Sequence, residues 1–270
     1  GNKFDLWRAA NPTVNADIFE GNFDANFESS GDASERNGNI SYLVNGAEVL
    51  NQDIGIRING GMTRAWQSKS LRLVARSDYG NEAMNYQFFS ELPLTTFNRL
   101  ILRNSGGDFI ETMYRDAFAH ELVKSSGIET QAYQPTITFV NGEYWGILNL
   151  RERYDKYYFK NVYGFAENEV DLLEDDLQPE EGDAVHYQVM ENYLENNSLA
   201  VQANYDYIKT QMDVENMRDY YIFNIYFDNT DWPGWNTMFW RKRTAAFVPN
   251  ALTGHDGRWR AGMKDNDDCF

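Results

Sequence analysis

The apolar residues of this chain change period along its length, and that change restricts the fold more than any other feature. "DIGIRI" (Asp53 to Ile58) and "KSLRLVAR" (Lys69 to Arg76) alternate apolar and polar residues on either side of a turn at Gly60 and Gly61, the pattern of two paired strands. "NRLILRN" (Asn98 to Asn104) predicts another strand. From Asp108 the repeat becomes helical: Ile110, Met113, Tyr114, Ala117, Phe118 and Leu122 fall on one face, and Gly127 supplies a left-handed cap, which together predict a helix of about four turns. "TITFVNGEYWGILNL" then returns to short runs around Asn141-Gly142, a pair that tolerates positive φ at both turn positions and so marks a hairpin.

After Glu152 the pattern is mostly helical, in "AVHYQVMENYLENN", "VQANYDYIKTQM" and "VENMRDYYIFNIYF", the last with Asp213 placed to cap it. The acidic stretch "DLLEDDLQPEEGD" between the two regimes is expected to be a solvated loop. Strands with one helix, followed by helices, predict an α+β chain in two lobes rather than alternating βαβ units. Residues 1–150 form the expected β-rich N-terminal lobe with its one helix, and residues 151–270 the mainly helical C-terminal lobe.

Composition narrows the function classes. With 24 Lys and Arg against 41 Asp and Glu, the net charge of -17 repels a phosphate backbone, so nucleic acid is not an expected partner. No apolar run approaches the roughly 20 residues that span a bilayer. Cys269 is the one cysteine, which excludes an intramolecular disulfide framework or a multi-thiolate zinc site and leaves the redox compartment open. His120, His186 and His255 share no ligand spacing, and no Gly-x-Ser-x-Gly elbow supports a serine hydrolase. Trp145, Trp232 and Trp240 lie in apolar runs that suit core packing more than a sugar-stacking platform. The start "GNKFDLW" reads as a processed or recombinant end.

Three short segments could carry chemistry. In "INGGMTRAWQSKSLRL", Gly60 and Gly61 let backbone amides approach phosphate oxygens, and Lys69 at the head of a strand can pair with them. In "NTDWPGWNTMFWR", Asp231 precedes Asn236 by five positions, the spacing of a proton-accepting Asp and a metal-binding Asn in a phosphotransfer loop. In "DNDDCF", Asp265 and Asp267 belong to a carboxylate cluster that reads either as a Mg²⁺ or Mn²⁺ site or as solvated acids near a chain end. Each segment alone is weak, because Gly, Asp and Asn are ordinary turn residues. Their order is that in which a kinase-type phosphotransferase presents its parts.

The chain also resembles the spore coat protein H (CotH) kinase family of atypical protein kinases. The resemblance rests on "GIRINGGMTRAWQSKSLRLVARSDYG", "RNSGGDF" with "YRDAFAHEL", "QPTITFVNGEYWGILNLRERYD", "DNTDWPGWNTMFWR" and "RWRAGMKDNDDCF", in order from Gly55 to Phe270. It implies an atypical protein-kinase-like two-lobed fold and transfer of the ATP γ-phosphoryl group to Ser or Thr of a protein substrate, with ATP and Mg²⁺ or Mn²⁺ as cofactors. It also implies an extracytoplasmic, secreted or spore-surface location. On it Lys69 contacts phosphate, Asp231 is the catalytic Asp, Asn236, Asp265 and Asp267 serve the metal, and Glu152, or else Glu121, pairs with Lys69. Gly60, Gly61 and Arg64 join the phosphate site, while Arg57, Arg64 and Arg72 suit surface roles equally well. The chain departs from the family pattern at Trp235, where an Asn is usual, and at Asp268 and Cys269, which stand in the Phe-Gly places. Those departures leave open a catalytically impaired surface, coat or adhesion protein. Relatives continue beyond the position of Phe270, so the chain is expected to be truncated there.

Overall fold

The computed structural model describes residues 26–66 and 68–270, and the "GNKFDLW" start lies outside them. Two compact units interleave along the sequence: the described residues up to 113 with 132–153, and residues 114–131 with 154–270. The expectation from sequence is instead a single cut at 150.

In the first unit, β1 (Arg36–Val44) and β2 (Ala47–Asn59) form a long hairpin, β3 (Ser70–Val74) follows the Gly60-Gly61 turn, and two short strands, β4 (Met84–Asn85) and β5 (Thr96–Phe97), pair separately. β6 (Arg99–Arg103), β7 (Tyr133–Val140) and β8 (Glu143–Glu152) complete a six-stranded sheet of order β1-β2-β3-β6-β8-β7, in which every neighbour pair is antiparallel. Alternation in "DIGIRI" and "KSLRLVAR" matches β2 and β3. Asn141 and Gly142 take φ of 52° and 80° and close the β7–β8 hairpin as their residue types dictate. Ile54, Leu73, Leu100 and Leu150 pack with Phe88, Phe89 and Phe97 into the main core of this unit.

The second unit contains five α-helices among the described residues: α1 (Arg115–Val123), α2 (Lys156–Tyr163), α3 (Val185–Asn196), α4 (Gln202–Gln211) and α5 (Val214–Tyr226). Asp155 caps α2 through the N–H groups of Tyr157 and Tyr158, and Asp213 caps α5 through that of Asn216, as its position predicts. A four-stranded sheet accompanies them, of order β10-β9-β11-β12, made of β9 (Val170–Glu174), β10 (Gln178–Glu181), β11 (Met238–Lys242) and β12 (Arg260–Ala261).

Three expectations therefore change. The helix assigned to the N-terminal lobe is α1, and it belongs to the second unit. It begins only after Met113, whose φ of 60° breaks the helical path, and of the apolar residues read off the sequence it buries Ala117 alone. Ala117, Ala119, His120 and Val123 are inside, while Phe118 and Leu122 are exposed. The acidic stretch is a hairpin rather than a solvated loop, because Leu172 and Leu173 are fully buried between its acids and carry β9 into the sheet. The C-terminal region thus carries a sheet as well as helices.

Candidate functional site

In the first unit Lys69 lies immediately before β3 with its ammonium buried. Its Nζ donates to the carbonyls of Arg64 (2.6 Å) and Trp66 (2.7 Å) and sits 4.3 Å above the Phe27 ring. Burial pulls its pKa down to about 8, against the opposing charge of Glu28. Arg64 likewise points into main chain, donating to the carbonyls of Gly60, Phe27 and Ser29. Among the described residues neither cation has a carboxylate within ion-pair distance. By contrast, Arg57 meets Asp32 and Glu35. Gly60 has φ of 107°, and a Cβ there would meet the Thr63 hydroxyl at 2.4 Å, so the turn needs glycine. Gly61 faces open space.

Glu152 and Lys69 are not brought together. Glu152 is opposite Leu100, which is opposite Leu73, so the two residues are two strands and four positions apart, roughly 16 Å between Cα atoms. The Glu152 carboxylate instead accepts the Ala132 N–H at 3.0 Å. Glu121, the other candidate, lies on α1 in the second unit and holds Lys124 at 3.1 Å.

The second unit gathers most of the remaining candidates. α5 ends at Tyr226 and a turn carries Asp231, a cis Trp232-Pro233 bond, and Asn236 with φ of 60°. The Trp235 N–H donates to the Asp231 carbonyl (3.0 Å), curling the turn so that the Asn236 amide reaches both the Asp231 carboxylate (3.4 Å) and the Asp265 carbonyl (3.2 Å). Asp265 is itself left-handed, with φ of 53°. The third acid of this group is Asp268, whose carboxyl feels the charges of Asp231 and Asp265. Burial, then the Asp231 and Asp265 charges, push its pKa up, and Arg115 opposes them. Asp267 is buried and lies instead near Cys269, whose thiol burial, Asp116 and Asp267 together push up to about 12.

Three residues that position this site were not singled out from sequence. Asp116, on the buried face of α1, accepts the Asn266 N–H at 2.8 Å and so ties the "DNDD" segment to the helix. Asp175 accepts the Thr237 N–H, and Lys264 bridges Glu174 and Asp175. Asp268 occupies a place in which the family pattern has Phe. Asp116, Lys264 and Asp268 stood within segments that resembled family motifs, and Asp175 did not.

A carboxyl shifted upward by burial and by the charges of two neighbouring acids is one whose ionised form a divalent cation would favour. Among the described residues no three His, Cys, Asp or Glu side chains are grouped to hold a metal ion by themselves. Mg²⁺ is commonly held by one or two carboxylates together with substrate phosphates, and the oxygen donors of Asp265, Asp268 and Asn236 fit that requirement. No described helix is long and apolar enough to cross a membrane.

Comparison with known proteins agrees with these features. No curated protein matches the chain. The family model described as CotH kinase protein matches residues 56–270, which include Lys69, Asp231, Asn236 and the whole "DNDD" segment. The chain therefore belongs to the CotH kinase family.

Proposed function

We propose that the chain is an atypical protein kinase with a two-lobed, kinase-like arrangement that transfers the ATP γ-phosphoryl group to Ser or Thr hydroxyls of a protein. The observation that carries this is the convergence of Asp231, Asn236, Asp265 and Asp268 on one turn system of the second unit. Asp231 accepts the proton of the attacking hydroxyl, and Asn236 orients the Asp231 carboxylate through its amide. Asp268 and Asp265, with Asn236, would hold Mg²⁺ or Mn²⁺, which supplies neutralisation of phosphate charge. Lys69 and Arg64, with no carboxylate within ion-pair distance among the described residues, turn to phosphate oxygens in exchange for their present backbone carbonyls. Asp267 supports the segment from its buried place beside Cys269.

A kinase-fold coat or adhesion protein without transfer activity is the second possibility, favoured by Asp268 standing at the site in a departed motif position and by an exposed Trp235 at its edge. Incubation with ATP and Mg²⁺ or Mn²⁺ beside a Ser-containing basic acceptor separates the two. Phosphoserine or phosphothreonine peptides formed by the wild-type chain, and not by Lys69→Met, support the kinase. Their absence from the wild-type reaction favours the coat or adhesion protein.

A further inference from the structure

We propose that Asp175 is the positioning residue that locks the two halves of the acidic site to each other. This rests on the kinase assignment above for its role in transfer, but the geometry stands independently. Asn236 and Asp265 come from segments 29 residues apart, and each has an immediate neighbour bonded to Asp175. Next to Asn236, the Thr237 N–H donates to Asp175 Oδ1 (3.2 Å) and the Thr237 carbonyl accepts the Asp175 N–H (3.3 Å). Next to Asp265, the Lys264 ammonium lies 2.9 Å from Asp175 Oδ2 and 3.2 Å from Glu174. One side chain therefore fixes both chains beside the reacting carboxylates.

The backbone at Asp175 is unusual in a way that fits a fixed task. Asp175, Asp176 and Leu177 all have positive φ (23°, 39° and 58°), three successive non-glycine residues in a region that L side chains avoid. The strand pairing of β9 with β11 and the tight return to β10, closed by the Gln178 N–H on the Asp175 carbonyl (2.9 Å), hold them there. An ordinary hairpin end would not need a carboxylate, whereas this one aims it at Thr237 and Lys264.

The test compares wild type with Asp175→Ala, Asp175→Asn and a control, Asp213→Ala, which removes the α5 cap and its Arg258 and Arg260 partners far from Asn236 in sequence. Mn²⁺ affinity, amide hydrogen exchange of the segment containing Thr237, and phosphotransfer kcat and KM are measured on each. Asp175→Ala is expected to weaken Mn²⁺ binding and lower kcat by about 10- to 100-fold, the usual loss when a supporting partner of a metal site is removed. KM for the acceptor should stay within about threefold, and exchange at Thr237 should accelerate. Asp175→Asn retains an oxygen for the Thr237 N–H but loses the charge facing Lys264, so it should fall between wild type and Asp175→Ala. The control should melt earlier with unchanged Mn²⁺ affinity. Wild-type exchange and Mn²⁺ affinity in Asp175→Ala would overturn the proposal, as would an equal loss of affinity in the control. If the wild-type chain transfers no phosphate but binds Mn²⁺, the kinase assignment fails while the exchange and Mn²⁺ results still decide the role of Asp175. If it binds no Mn²⁺ either, both fall.

Discussion

Replacing Asp171 tests how the sheet beneath the site is held. Asp171 of β9 lies directly opposite Arg241 of β11, the strand that follows Asn236, and both side chains are almost wholly buried. Arg241 Nε donates to Asp171 Oδ2 at 2.8 Å and its guanidinium stacks over Trp259, while Asp171 Oδ1 takes the Asp183 N–H at 3.1 Å. Burial by itself pulls the Arg241 pKa down and the Asp171 charge opposes it, so the pair is mutually dependent. Asp171→Ala leaves a guanidinium buried without its anion, and breaking such a pair costs about 3–5 kcal/mol. For a chain of this size that corresponds to a fall in Tm of about 10 °C. Asp171→Leu with Arg241→Met replaces both charges by apolar groups of similar length, and should lie within about 2 kcal/mol of wild type. Urea unfolding at pH 7, followed by tryptophan fluorescence, gives all three values. The reasoning is refuted if Asp171→Ala costs under about 1 kcal/mol, or if the double variant loses as much as Asp171→Ala.

Other perturbations follow from buried ionisable groups and one tight turn. His186 Nδ1 accepts the Trp259 indole N–H at 2.9 Å, and burial, followed by the Arg241 charge, depresses its pKa. The unfolded chain then binds the proton first, so this contribution to stability is present above pH 6.5 and is lost as pH falls through the depressed value. Urea midpoints at pH 7.5 and 5.0 should show that loss, and His186→Phe should reduce it. Glu129 is enclosed and bonded by the Tyr158 and Tyr163 hydroxyls, and burial raises its pKa. Its contribution is complete below 4.5 and declines as pH rises toward the raised value, a slope that Glu129→Gln should remove from a stability-against-pH series. Gly182 has φ of 70°, and a Cβ there would stand 2.6 Å from the Val170 carbonyl, so Gly182→Ala should cost about 2 kcal/mol or more in the same assay.

Much of the first unit was legible because its signals are local. Alternation in β2 and β3, the Gly60 turn and the Asn141-Gly142 hairpin each involve neighbouring residues, and the resemblance to the CotH kinase family covers the same segments. In α1 the sequence misled, since the apolar spacing of Phe118 and Leu122 outweighed a buried face containing Asp116 and His120. That polar face is acceptable inside only because Asp116 finds the Asn266 N–H, 150 residues away, and His120 Nδ1 takes the Gln131 N–H. The hairpin of β9 and β10 was hidden by its acids, whose burial depends on Arg241 and Lys264 far along the chain. Asp175 carries no local signature at all, because its role arises from a contact across 62 positions, to Thr237. The expected Lys69–Glu152 pair fails on strand register, which composition and spacing do not encode.

The most direct measurement is the initial rate of ATP-dependent phosphate incorporation into a Ser-containing acceptor, with Mg²⁺ or Mn²⁺, for wild type, Asp231→Ala and Asp265→Ala at matched folding by circular dichroism. The account predicts measurable transfer by wild type and a fall of about 10²- to 10⁴-fold in Asp231→Ala, the scale of a lost acid–base group, with a comparable fall in Asp265→Ala. Transfer by Asp231→Ala at the wild-type rate, or none by wild type with either metal, would contradict it.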